Sequence, residues 1–177
     1  MIVGFSGAKG SGKDLAYRIL KEKYSHLNIE KIAFADPIRL KLFEILNLNN
    51  NTYDILKRSL INISNEYGTI TTVGGRDIVR GIGMLMRSYD ENQFVKYVYD
   101  KEIANTDTIY ICTDVRFQNE VEMFEKLGAK IALIQREGFD YDNHPSEQLI
   151  SKYDKLIVND NIDNFKKQVV DFFEECL

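Results

Sequence analysis

The chain has 177 residues, 44% of them hydrophobic and 28% charged, which fits one soluble globular domain and neither two independent enzymes nor a disordered tail. Lys and Arg total 23 against 27 Asp and Glu, a formal charge of −4. That balance argues against a general nucleic-acid coat, but a local cluster of Arg and Lys can still hold one phosphorylated ligand. Residues 1–6 are an apolar run ended by Gly7 and without a basic start; they read as a buried strand rather than a signal peptide. Apolar residues at 15, 16, 19, 20 and 24 have helical spacing over 13–24. A second strand is expected at 31–35, then a helix with Asp36 as N-cap and Pro37 in its first turn, burying Ile38, Leu42, Ile45 and Leu46.

The asparagine-rich stretch 47–51 reads as a turn, 53–60 as a helix and 65–75 as a loop. Helices follow at 76–87, burying Ile78, Ile82, Leu85 and Met86, and at 93–104. Strands at 108–113, 130–135 and 155–159 alternate with helices at 117–127 and 162–175. The last helix turns Phe165, Val169, Phe172 and Phe173 inward, and 136–145 is a polar loop. Cys112 lies in an apolar strand; with Cys176 it makes two cysteines, too few for a disulfide framework or a zinc site, so reduced cytosolic thiols are expected. No run approaches the roughly 20 apolar residues of a membrane helix. Alternating apolar strands and helices mean an α/β fold in three layers, a parallel sheet between helices, with ligands beyond the carboxyl ends of the strands.

Gly7-Ala8-Lys9-Gly10-Ser11-Gly12-Lys13 fits G-x-x-x-x-G-K between the first strand and the first helix. Glycines let successive N–H groups of Lys9, Gly10, Ser11 and Gly12 turn into an anion nest, the helix adds the positive end of its dipole, and the Lys13 ammonium reaches the outer phosphates. Asp14 stands where Ser or Thr would ligate Mg²⁺; its carboxylate can hold the ion, directly or through water, or simply favour the start of the helix. Asp114 ends the 108–113 strand, Arg116 offers a bidentate phosphate contact, and Glu120 follows at i+4. The bland alternative is an Arg–Glu pair beside a helix cap. Arg76, Arg80, Gly83 and Arg87 share one helical face, either a phosphate-binding stripe or a solvated one. Asp36 and Arg39 are further contact candidates, and Phe94 is a base platform or a core ring.

These motifs resemble the phage-type deoxynucleoside monophosphate kinases, within the P-loop nucleoside monophosphate kinase superfamily, over nearly the whole chain. The resemblance rests on GAKGSGKD at 7–14, FADP at 34–37, Gly83 to Arg87 with Phe94-Val95 beyond, DVRFQNE at 114–120, HPSE at 144–147 and YDKLIVN at 153–159. The chain differs at Met84, where the family often has Thr, at Phe94, near a family Trp, and at Arg80, where some members carry an acid. The resemblance implies a five-stranded parallel core (1–35, 106–135, 151–177), a helical nucleoside-monophosphate-binding insertion at 36–105 and a short lid at 136–150. It implies ATP as phosphoryl donor, Mg²⁺, and a deoxynucleoside 5′-monophosphate as acceptor. Lys13, Asp114 and Arg116 are then the catalytic candidates, Arg136 a lid contact to the donor, and Arg76, Gly83, Asp114, Arg116 and Glu120 acceptor contacts. Small nucleotides are the expected partners, with no nucleic acid and no membrane, in a cytoplasm (the host's, if the chain is viral). The C-terminal aromatic stripe is expected in the core, a homodimer being its other use. The competing readings are another small-molecule P-loop kinase, such as a dephospho-coenzyme A kinase, and a non-catalytic ATP-binding module.

Overall fold

Five residues, apolar but for the closing Ser6, make β1 (Ile2–Ser6), and every one of them is buried. A strand covered on both faces needs neighbours on both edges, and β1 has them: β5 (Ile109–Cys112) on one side and β6 (Ile131–Gln135) on the other, both parallel. The outer strands are β2 (Ile29–Ile32) beside β5 and β7 (Lys155–Val158) beside β6, giving the order β2-β5-β1-β6-β7. The chain therefore leaves β1 in both directions across the sheet. β1 is the switch point beyond whose carboxyl end parallel sheets bind ligands. This is a computed structural model, and it describes residues 1–64, 67–68, 70–139 and 149–177.

The pleat assigns the layers. Val3 and Phe5 point to one face, where α1 (Lys13–Lys23) and α7 (Ile162–Glu174) join them in a core with Ala16, Leu20, Phe165, Val169, Phe172 and Phe173. Gly4 points to the other face, where α6 (Gln118–Lys126) packs so closely that a Cβ on Gly4 would meet the Phe124 ring at 2.8 Å. Cys112 is buried in β5, and neither it nor Cys176 joins a disulfide. No described helix is long and apolar enough to cross a membrane.

Residues Ala35–Phe94 form a second compact unit, and Met1–Phe34 with Val95–Leu177 form the first. The division falls at 94 rather than at the expected 105, because α5 (Gln93–Ala104) lies mostly in the first unit. Several expectations are corrected in this region. β2 ends at Ile32, and Ala35 rather than Asp36 is the N-cap of α2 (Asp36–Leu46), with Asp36 inside the first turn. α2 buries Ile38 and Leu42, but Ile45 and Leu46 are exposed. Asn49 caps α3 (Asn50–Arg58), its side chain accepting from the Thr52 N–H while the Thr52 hydroxyl takes the Asn49 N–H. The helix therefore starts three residues before the expected position. Within the expected loop at 65–75, Ile70–Gly74 instead form β4, antiparallel to β3 (Leu60–Ser64). The apolar side chains Leu60, Ile63 and Ile70 of this pair are exposed, so the alternation that betrays a half-buried strand is missing.

α4 (Gly75–Tyr89) differs in its buried face. Val79 and Gly83 are buried, Arg76, Arg80 and Arg87 beside them are half-buried, and Leu85 is exposed. Ile78, Ile82 and Met86 are half-buried too, so the arginine stripe is partly covered and, of the four apolar residues expected inside, Leu85 alone is exposed.

Candidate active site

The turn after β1 shows why it needs glycine. Gly7, Gly10 and Gly12 have φ of 140°, 82° and 121°, a region L side chains rarely adopt. A Cβ at Gly7 would strike the Ile134 carbonyl oxygen, and one at Gly10 would strike the Phe139 ring. The loop feeds α1 directly, with Gly12 at its N-cap position. The Lys13 ammonium folds back over the loop, donating to the Gly7 carbonyl at 2.6 Å and the Ala8 carbonyl at 2.7 Å. Ser11 is fully buried, and its hydroxyl has no hydrogen-bond partner among the described residues. A buried, unsatisfied hydroxyl inside a ring of backbone is the kind of group an incoming phosphate oxygen can satisfy.

The neighbouring strand ends close the site on both sides. From β5, Asp114 accepts the Phe34 N–H at 2.8 Å on Oδ1, which also receives the Cys112 thiol at 3.5 Å. Burial pushes that thiol well above its usual range, with the Asp114 charge adding to the effect. Arg116 is half-buried two residues on. Glu120 is 1% exposed, and its Oε2 accepts the Arg116 N–H at 2.7 Å and the Phe117 N–H at 3.1 Å. Its carboxylate therefore shapes the loop that carries Arg116, at the N-terminal end of α6. From β6, the Arg136 guanidinium donates to the Gly10 carbonyl at 3.3 Å and lies 4.6 Å from the Phe139 ring centroid. Asp14, in the first turn of α1, pairs with Lys31 of β2 at 2.5 Å, both side chains being exposed. Lys9 is exposed at the loop's tip.

In the second unit, Asp36 and Arg39 pair at 2.8 Å within the first turns of α2. The Arg39 Nε is buried with no hydrogen-bond partner among the described residues. Arg80 approaches Asp77 at 3.6 Å. Gly83 serves packing: a Cβ there would meet Ile38 Cδ1 at 2.9 Å, so the glycine lets α4 approach α2. Phe94 is 1% exposed and has the Arg87 guanidinium over its ring at 4.7 Å. It is a core ring, and its face is already taken; the base-platform alternative is set aside. The lid residues 140–148, with the HPSE stretch, lie outside the described residues.

No protein-family model matches the chain. It is 29% identical over 189 aligned residues to a protein of Acanthamoeba polyphaga mimivirus named "Putative deoxynucleotide monophosphate kinase", covering 96% of this chain and 94% of that one. The dephospho-CoA kinase from Campylobacter jejuni superposes with a TM-score of 0.50 at 14% identity, covering 99% of this chain and 96% of its own. The chain has the P-loop kinase fold.

Within the P-loop kinase fold, two contacts at the loop go beyond the sequence reading. Asn159, just after β7, donates its side-chain amide to the Ser11 carbonyl at 2.7 Å. Its place at a strand end is a legible signal, but its partner is not. Phe139, packed on Gly10, carries no signal at all in a polar loop. The residues of the first unit fit a triphosphate: a glycine cradle that any Cβ would fill, an ammonium held at its mouth, and a buried hydroxyl awaiting an acceptor. Asp14 and Asp114 supply the hard carboxylate oxygens that suit Mg²⁺.

Proposed function

We propose that this chain transfers the γ-phosphoryl group of ATP to a deoxynucleoside 5′-monophosphate, giving ADP and the deoxynucleoside diphosphate. The observation that carries the reading is the loop 7–13, with three left-handed glycines, the buried Ser11 hydroxyl and the Lys13 ammonium folded over it. The similarity to the mimivirus protein, whose name specifies a deoxynucleotide monophosphate kinase, supports the choice of acceptor.

Transfer of this kind asks little covalent work of the protein, so positioning and charge supply the acceleration. An oxygen of the acceptor phosphate attacks the γ-phosphorus in line, and the bond to the β–γ bridging oxygen breaks to release ADP. The N–H groups of Lys9 to Lys13 hold the donor phosphates. Lys13 exchanges its two carbonyl partners for phosphate oxygens and follows the γ-phosphoryl as charge shifts onto the leaving group. Asp114 and Asp14 are the residues that would hold Mg²⁺, which when bound would supply positive charge against the phosphate oxygens. Arg116, its backbone fixed by Glu120, orients the acceptor phosphate. Arg136, already at the Gly10 carbonyl, covers the donor side and keeps water out. Arg39, Arg76, Arg80 and Arg87 are further candidates for contact with the acceptor.

A coupled ADP-release assay tests this over the four common deoxynucleoside monophosphates, their ribose counterparts and dephospho-coenzyme A. Release that depends on at least one deoxynucleoside monophosphate is expected. Release only with dephospho-coenzyme A, or none with any acceptor, overturns it.

A further inference from the structure

Asn159 is tied at two points. Its backbone N–H donates to the Gln135 carbonyl at 2.8 Å, continuing the β6–β7 ladder one residue beyond the strand. Its side-chain amide donates to the Ser11 carbonyl at 2.7 Å. Only the amide nitrogen can face a carbonyl oxygen, so the hydrogen-bond partner itself fixes the orientation of the side chain. The anchor beneath is firm. The Gln168 side chain accepts the Val158 N–H at 3.0 Å and donates to the Val158 carbonyl at 2.9 Å. Asn161 caps α7 by accepting the Asn164 N–H at 2.9 Å. Gly12 leaves the space that the amide occupies: a Cβ there would lie 2.6 Å from Asn159 Nδ2 and 3.1 Å from the Phe165 ring.

A trans peptide holds its C=O and N–H on opposite sides. Drawing the Ser11 carbonyl outward to Asn159 therefore turns the following N–H, that of Gly12, the other way. We propose that Asn159 is a positioning residue for the phosphate loop: its amide holds the Ser11 carbonyl outward and so aims the Gly12 N–H at the donor phosphates. The inference rests on the loop binding a triphosphate, as in the proposed function. It adds a residue from the far end of the chain to the donor site, and it gives the glycine at position 12 a second purpose besides its φ.

The test is titration of wild type, Asn159→Ala and Asn159→Asp with the non-hydrolysable ATP analogue AMP-PNP, beside ligand-free melting curves and steady-state kinetics. Loss of the amide donor is expected to weaken AMP-PNP binding about tenfold, equivalent to one hydrogen bond of about 1.4 kcal/mol. The acceptor KM stays unchanged, and the melting temperature falls by about 4 °C or less. Asn159→Asp, isosteric but with two acceptor oxygens facing a carbonyl, binds more weakly still at pH 8. Its deficit relative to wild type shrinks towards pH 5, as the carboxyl gains a proton to donate. Variant affinities within twofold of wild type, or a deficit independent of pH in Asn159→Asp, overturn the clamp. If both variants fail to fold, exchange of the Asn159 side-chain amide protons in the wild-type protein decides. Slow exchange that persists in the AMP-PNP complex supports the clamp, and exchange at the rate of an exposed asparagine overturns it. Wild-type protein that takes up no AMP-PNP overturns the proposed function along with the clamp, whereas binding by wild type with unaltered variants overturns the clamp alone.

Discussion

Lys13 is the residue on which the proposed transfer depends most. Its ammonium sits on two loop carbonyls, bonds that in the proposed reaction give way to stronger ones in which phosphate oxygens carry charge as well. Lys13→Ala is expected to lower kcat by at least a hundredfold, about 2.7 kcal/mol of transition-state stabilisation, and near-normal turnover would remove Lys13 from its role. Arg116 and Glu120 divide their work differently from the sequence reading. The Glu120 Oε2 accepts two backbone N–H groups, so Glu120→Gln should disturb the loop and lower stability, whereas Arg116→Ala should leave stability alone and impair acceptor use. Kinetics with the acceptor varied, set beside melting curves, separate the two; an Arg116→Ala enzyme with unchanged acceptor KM and kcat contradicts the assignment. Cys176 gives a pH signature. Burial pushes its thiol up to about 11 from 9, and the thiol donates to the Phe172 carbonyl. The neutral form is favoured by folding, so the contribution is full below pH 9 and is lost as pH rises towards 11. Melting temperature should fall across that window, and less so in Cys176→Ala.

Elements were readable where burial followed a simple period. α7 places Phe165, Val169, Phe172 and Phe173 on one stripe, and all four are fully buried. Phe172 meets Phe5 of β1 edge to face, with centroids 5.8 Å apart. Phe172→Ala is expected to destabilise the protein by about 3–5 kcal/mol, measured by denaturant unfolding; a loss under about 1 kcal/mol would mean the stripe is not core. The hairpin β3–β4 was illegible for the converse reason. Its residues Ile61, Asn62, Ile63 and Thr71, Thr72, Val73 pair across the ladder, yet Leu60, Ile63 and Ile70 are exposed and no position is fully buried, which leaves no pattern of two. Ile45 and Leu46 misled because helical spacing reports which side of α2 is apolar, not how far the covering layer extends. On α4 the arginine stripe and most of the apolar stripe are both half-buried, because Gly83 lets α2 approach beside the arginines as well.

At the scale of the molecule, a chain of net charge −4 gathers the groups proposed for the donor site at one end of one sheet. The strand order puts β5, β1 and β6 side by side, so the groups following them, Asp114 and Arg116, the glycine loop, and Arg136, converge without any of them being near in sequence. That convergence was legible from the alternation of strands and helices, and the loop from its glycines and Lys13. The role of Asn159 was not, since a contact across 148 residues of chain leaves no local trace. The division at 94 was equally hidden, because α5 reads as a helix whichever unit holds it. The most direct measurement of the central claim is calorimetric titration of the wild-type protein with ATP and Mg²⁺, with Lys13→Ala as control. The account predicts saturable uptake of one ATP per chain, strongly weakened in the variant. No uptake by wild type at millimolar ATP, or equal uptake by the variant, would contradict it.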